Sequence, residues 1–103
     1  MKKGILIHEA NDDVGVAVMD LKKGEQVDVV TLEGRDVKQI VLVTDIPLGH
    51  KVSMTDLPLN KHVIEYGREI GYVVAPIRAG EHVHIHNIKS LRWAASQADV
   101  LAK

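Results

Sequence analysis

DLKKGEQV at residues 20–27 returns three more times, as DIPLGHKV at 45–52, DLPLNKHV at 56–63 and PIRAGEHV at 76–83. The shared pattern is Asp or Pro, then Ile or Leu, two residues, Gly or Asn, two polar residues and Val. Each copy ends one apolar stretch and begins another. Gly24, Gly49 and Gly80 stand where the chain needs a positive φ, and Asn60 suits the same place because Asn tolerates the left-handed region. Asp or Pro at the start favours turn initiation. The first polar slot after the Gly or Asn holds Glu25, His50, Lys61 and Glu81; the second holds Gln26, Lys51, His62 and His82. Both slots read as permissive, asking only for polarity. The copies are irregularly spaced, so the chain is not a solenoid. Tight turns between short apolar runs predict a mainly β domain.

The strands between the turns are read as Ile5 to His8, Val14 to Val18, Val27 to Leu32, Ile40 to Val43, Val63 to Tyr66, Tyr72 to Ala75 and Val83 to His86. Ile40 to Val43 is continuously apolar and reads as buried on both faces. Asp12 and Asp13 are expected to cap a local turn. From about Ser90 the period changes. Leu91, Ala94, Ala95, Ala98, Leu101 and Ala102 form one helical stripe with Ser90 as N-cap. The 103 residues thus divide into a β domain over 1–88 and a C-terminal helix over 90–102. Trp93 falls opposite the stripe, either covering its own domain or anchoring another chain.

HVHIHN at 82–87 carries the densest chemistry. Read as a strand, it places His82, His84 and His86 on one face, with imidazoles about 7 Å apart, and turns Val83 and Ile85 to the core. An H-x-H pair at that spacing can lean onto one metal or one anion, and Asn87 adds an amide. The plainer reading is a solvated strand face.

Composition narrows the function. A chain of this length supports one modest core. There is no Phe, and Tyr66, Tyr72 and Trp93 are the only aromatics, so Val, Ile and Leu build that core. The formal charge of −1 and the lack of a basic stripe argue against nucleic acid. With no cysteine, the chain can hold no disulfide, thiolate zinc site or iron–sulfur cluster. The apolar run Ile5-Leu6-Ile7 is too short for a signal peptide or membrane span, so a cytoplasmic protein that avoids membranes is expected.

Four longer elements, IHEANDDVGVAVMDLKKGE, DIPLGHKVSMTDL, VIEYGREIGYVVAPI and GEHVHIHNIKSLRW, occur in order over nearly the whole chain. Together they resemble the small subunit of the altronate dehydratase and (2R)-sulfolactate sulfo-lyase family, and the N-terminal domain of galactarate dehydratase. The resemblance implies an SAF-type domain of β-clip fold. It implies an accessory half of a lyase that eliminates water or sulfite from a 2-hydroxy acid to give a 2-keto acid. The catalytic machinery would lie mainly on a larger partner subunit, together with a divalent metal, expected to be iron. The SLRW ending is similar to the end of the sulfo-lyase alpha subunit, which tilts the expectation toward sulfite.

Within that frame the expected catalytic residues are His84, His86 and Lys51, with His50, Asn87 and His8 binding substrate. Neutral His accepts a proton or holds a metal, and protonated His pairs with a carboxylate or sulfonate. Lys51 would neutralise substrate charge. No residue set stands out as a metal centre, although His84 and His86 could ligate one. His62 and His82, in the permissive slot, are expected at the surface. The competing readings are a stand-alone carbohydrate- or small-ligand-binding module, a stand-alone metal-binding protein and, for assembly, a homo-oligomer. A flat face of Thr or aromatics would favour a binding module, but the chain has only three Thr and three aromatics.

Overall fold

Alternating apolar residues build nine short strands in the computed structural model, which describes residues 2–90. They are β1 (Lys3–Ile7), β2 (Val14–Ala17), β3 (Gln26–Thr31), β4 (Asp36–Val41), β5 (Lys51–Ser53), β6 (His62–Glu65), β7 (Arg68–Val73), β8 (His82–Val83) and β9 (Ile88–Ser90). A six-stranded sheet runs β4-β3-β1-β2-β5-β8, and a three-stranded sheet runs β6-β7-β9. β1 and β3 are parallel, and the other pairs are antiparallel. The expectation of a mainly β chain holds. The helix expected over 90–102 and Trp93 fall outside the described residues, apart from Ser90, which closes β9.

The four repeated turns associate in pairs, and this pairing organises the fold. Leu21 bridges Ile46, and Leu57 bridges Ile77, each through two reciprocal backbone hydrogen bonds. The first copy therefore joins the second, and the third joins the fourth. The positive-φ residues repeat one exchange: Gly24 and Gly49 donate to the carbonyls of Leu42 and Ala17, and Asn60 and Gly80 to those of Val73 and Ser53. Asp20 accepts from the Leu48 N–H, Asp45 from Lys23 and Asp56 from Ala79, each at 2.8 to 2.9 Å. The fourth copy starts with Pro76, which has no carboxylate to return.

Two apolar clusters follow from this arrangement. One gathers Ile5, Ile7, Ala17, Leu21, Val27, Val29, Ile40, Leu42, Ile46, Val52 and Met54, and the other Val14, Leu57, Val63, Val73, Ile77 and Val83. Each Val, Leu, Ile or Met among them contributes about 1.5–3 kcal/mol when fully buried, before the entropy of ordering the chain is subtracted. Gly80 seats the fourth turn against the end of β4, its carbonyl accepting from the Val43 N–H at 3.0 Å. Its φ is 85°, and a Cβ there would sit 2.1 Å from the carbonyl oxygen of Val41.

The structure corrects two strand readings and extends one turn reading. Ile40 to Val43 is not buried on both faces: β4 is an edge strand starting at Asp36, with Val41 exposed and Ile40 turned inward. Asp12 caps the local turn as expected, accepting from the Glu9 N–H at 3.2 Å, but both carboxylates also reach far beyond it. Buried Asp12 accepts from the N–H of Tyr66 at 2.9 Å, and buried Asp13 accepts from Ile64 at 2.8 Å and Lys61 Nζ at 3.0 Å. They clamp the β6–β7 hairpin, whose two-residue turn puts both Tyr66 and Gly67 at positive φ, as a type I′ turn requires. Finally, HVHIHN is not one strand, because β8 stops at Val83.

Candidate functional site

The slot before β5 holds His50 because the turn no longer needs that position. In the first and fourth copies, Glu25 and Glu81 each accept a hydrogen bond from the N–H three residues earlier, on Lys22 and Arg78. In the second and third copies that earlier residue is Pro47 or Pro58, which has no N–H to satisfy. All four turns keep the same backbone bond, with His50 N donating to the Pro47 carbonyl at 3.0 Å. The slot is therefore not indifferent to residue type, contrary to expectation. It takes Glu where an N–H must be capped and is free where Pro stands. Lys61 uses that freedom to reach Asp13, and His50 uses it to reach the other histidines.

Pairing of β5 with β8 sets Lys51 opposite Val83 and Val52 opposite His82. His50 precedes β5 and His84 follows β8, so the two strand ends meet there. Nδ1 of His50 lies 2.8 Å from Nε2 of His82, one ring donating to the other. Ring centroids are 5.2 Å apart for His50 and His84, 5.4 Å for His82 and His84, and 5.7 Å for His82 and His86. One ring nitrogen each from His50, His82 and His84 falls within 4.8 Å of the others. His82 is half-buried, not the surface residue expected. Burial first, and then the charges of His50, His84 and His86, hold it below the ordinary imidazole value, which favours the neutral ring.

A turn, not a strand face, gathers these rings. Residues 84–87 reverse the chain so that β9 can pair with β7. Asn87 closes the reversal. Its Oδ1 accepts from the His84 N–H at 2.9 Å, and its Nδ2 donates to the His82 carbonyl at 2.7 Å. Asn87 is only 1% exposed, so the amide expected to meet substrate is spent on the backbone. Ile85, expected in the core, is 82% exposed, because the reversal ends the alternation that would have buried it. Val83 does face the core.

Beside the histidines opens a cleft of about 460 Å³ lined by His50, Lys51, Glu65, Ile70, His84 and Ile88, among others. Lys51 pairs with Glu65 at 3.7 Å, so its charge is partly balanced in place. Apolar walls with a few convergent polar groups suit a small ligand. His86 touches His82 but does not line the cleft. His8 lies elsewhere, edge-on to Tyr66 at 4.6 Å. His62 is exposed and pairs with Glu69. Sequence reasoning missed Glu65, Ile70 and Ile88. The EYG turn could have flagged Glu65 as a hairpin end, but nothing local links it to Lys51.

A family model for the altronate/galactarate dehydratase SAF domain matches residues 2–91. The chain is 38% identical over 94 residues to the (2R)-sulfolactate sulfo-lyase subunit alpha of Chromohalobacter salexigens, covering 90% of this chain and 100% of that protein. It is 42% identical over 65 residues to the same subunit of Paracoccus pantotrophus, covering 63% of this chain and 96% of that protein. It is 43% identical over 86 residues to the altronate dehydratase of Escherichia coli, covering 84% of this chain but 16% of that protein. The chain thus spans about a sixth of that dehydratase and the whole of the Chromohalobacter subunit.

Proposed function

We propose, given that the chain belongs to the altronate/galactarate dehydratase SAF domain family, that it is the small subunit of a two-component lyase acting on a 2-hydroxy acid. The observation that carries this reading is the end-to-end match to a protein named as subunit alpha of (2R)-sulfolactate sulfo-lyase. The chemistry requires loss of the C2 proton, formation of the C2–C3 double bond and departure of the C3 substituent with its electron pair. That substituent is sulfite for a sulfolactate-type substrate and water for an altronate-type one. The enol then tautomerises to the 2-keto acid.

Lys51, held by Glu65 at the cleft, gives the substrate carboxylate or sulfonate a fixed cation. His50 and His84 line the same cleft, where a neutral imidazole can take up a proton or a protonated one donate it. His82 and Asn87 position these rings. His8 and His86 stand outside the cleft and have no part in this assignment. The divalent metal that stabilises the enediolate we place mainly on the larger subunit, with iron as the expected ion.

The test is co-expression with a larger lyase subunit from the same organism. The complex should form a 2-keto acid from (2R)-sulfolactate with release of sulfite, and the chain alone should form none. Multiple turnover by the chain alone would overturn the accessory role. Product from altronate in place of sulfolactate would move the leaving group from sulfite to water.

A further inference from the structure

We infer that His50, His82 and His84 form a binding site for one first-row divalent transition-metal ion, carried by this chain without help from a partner. One ring nitrogen from each histidine lies within 4.8 Å of the other two, and among the described residues no other three His, Asp or Glu side chains converge in this way. His50 Nδ1 and His82 Nε2 already face each other at 2.8 Å. With metal–nitrogen bonds of about 2.0–2.1 Å, two ligands on a tetrahedral ion stand about 3.3 Å apart. The pair must open by about half an ångström and His84 must close in, and both are side-chain torsions on a fixed backbone. The ion takes the place of the proton between the first two rings, and that proton moves to the other nitrogen of its own ring, so the pair ligates as two neutral imidazoles. Three nitrogens and no oxygen suit zinc, cobalt or iron and disfavour calcium and magnesium.

The backbone under the three rings is prepared. Asn87 holds the His82 carbonyl and the His84 N–H from one buried amide. Thr44 Oγ1 accepts from the His82 N–H at 2.9 Å. The second turn fixes His50 through Pro47. Support behind the ligands is what a metal site needs to keep its geometry. His84 is exposed, and His50 and His84 border the cleft, so the site faces a space where an outside ligand can enter. A three-ligand site leaves room for such a ligand, unlike a closed structural one.

This inference goes beyond the subunit reading, which puts the metal mainly on the larger chain, and its test needs no partner or turnover. Metal-stripped full-length chain is titrated with Co²⁺ and followed by its visible absorption, then back-titrated with Zn²⁺. One Co²⁺ per chain is expected, with bands that Zn²⁺ removes. His50→Ala, His82→Gln and His84→Ala should each weaken binding by about 10-fold or more, and Asn87→Ala by about 10–100-fold, as for an outer support. His8→Ala, His62→Ala and His86→Ala should leave it within about twofold, since none belongs to the trio. Circular dichroism of each variant separates lost binding from lost folding, and His84→Ala is the cleanest because that side chain is exposed. No cobalt bands at millimolar Co²⁺, or bands that survive His84→Ala and vanish with His86→Ala, would overturn the site. Failure here with an active two-subunit complex would leave the subunit reading intact.

Discussion

The turns at 20–27 and 45–52 share one backbone and differ in what their side chains are free to do. In the first, Lys22 presents an N–H and Glu25 is consumed in capping it. In the second, Pro47 removes that N–H, and the matching slot passes to His50, which meets His82. The fourth turn keeps its cap through Glu81 and presents His82 from the next slot. A proline two residues before the positive-φ position thus releases one side chain from structural duty. The lesson is that a repeated turn can acquire chemistry without changing its path, by moving a hydrogen-bond requirement out of the side chain.

The largest effect expected from breaking this picture lies just past the fourth turn. Val83→Asp should unfold the domain, at a cost of about 4 kcal/mol or more, because it buries an unpaired charge in the smaller cluster. Ile85→Asp should cost about 0.5 kcal/mol or less, since that side chain stands in water. Urea denaturation of the two variants reads the difference. Equal effects would restore a strand through residue 86 and undo the turn that gathers the histidines.

Next comes the positive-φ slot itself. Gly80→Ala should cost about 3 kcal/mol or more, combining left-handed strain with a methyl driven into the Val41 carbonyl. Gly24→Ala meets open space at the same φ and should cost about 1–2 kcal/mol. Thermal unfolding of both should rank them in that order. Similar losses would mean that the turns do not pack as differently as described.

A smaller effect sharpens the Glu-or-Pro rule. Glu81→Ala should destabilise by about 0.5–1.5 kcal/mol through the uncapped Arg78 N–H. His50→Ala should cost less, because its turn needs no cap. Should His50→Ala be the more destabilising in the metal-free chain, the slot would be structural in both turns.

The smallest effect is a pH dependence. Because His82 titrates below its ordinary value of 6.5 in the folded chain, the unfolded chain binds more protons in the window beneath 6.5. Its contribution to stability is therefore full above pH 6.5 and is lost as pH falls through the lower folded value. Metal-free protein should lose denaturation free energy over that window, and His82→Gln should flatten the loss. An unchanged slope in the variant would show that His82 is not the group held neutral.

Much of the fold was legible because its key signals are local. Gly24, Gly49, Asn60 and Gly80 all adopt the positive φ that the repeat implied, at 90°, 84°, 71° and 85°. Pairing between copies was not legible, since it depends on carbonyls some twenty residues away in sequence. β5 and β9 are three-residue strands defined by their partners, with no period of their own to read. Ile40 to Val43 misled because an apolar run does not reveal whether its strand lies at a sheet edge. HVHIHN misled in the opposite way. Its alternation is that of a strand, but one buried Asn bends it, and side-chain capture of the backbone leaves no mark on hydrophobic period. The rings came together even so, since a turn beside β5 brings His84 to His50 as effectively as a shared face would bring it to His86. Lys51 and His50 were visible as a polar pair after Gly49, whereas Glu65 entered only through tertiary contact.

The central claim is that this chain lends its histidine cleft to a reaction completed by a larger subunit. It is met most directly by assaying 2-keto acid formation by the assembled complex carrying His50→Ala with His84→Ala in this chain, beside His8→Ala with His62→Ala as the control. The first pair should lower turnover by about 10²-fold or more while the complex still assembles, and the control should retain it. Full activity of the His50→Ala, His84→Ala complex would contradict the account and move the chemistry wholly to the partner.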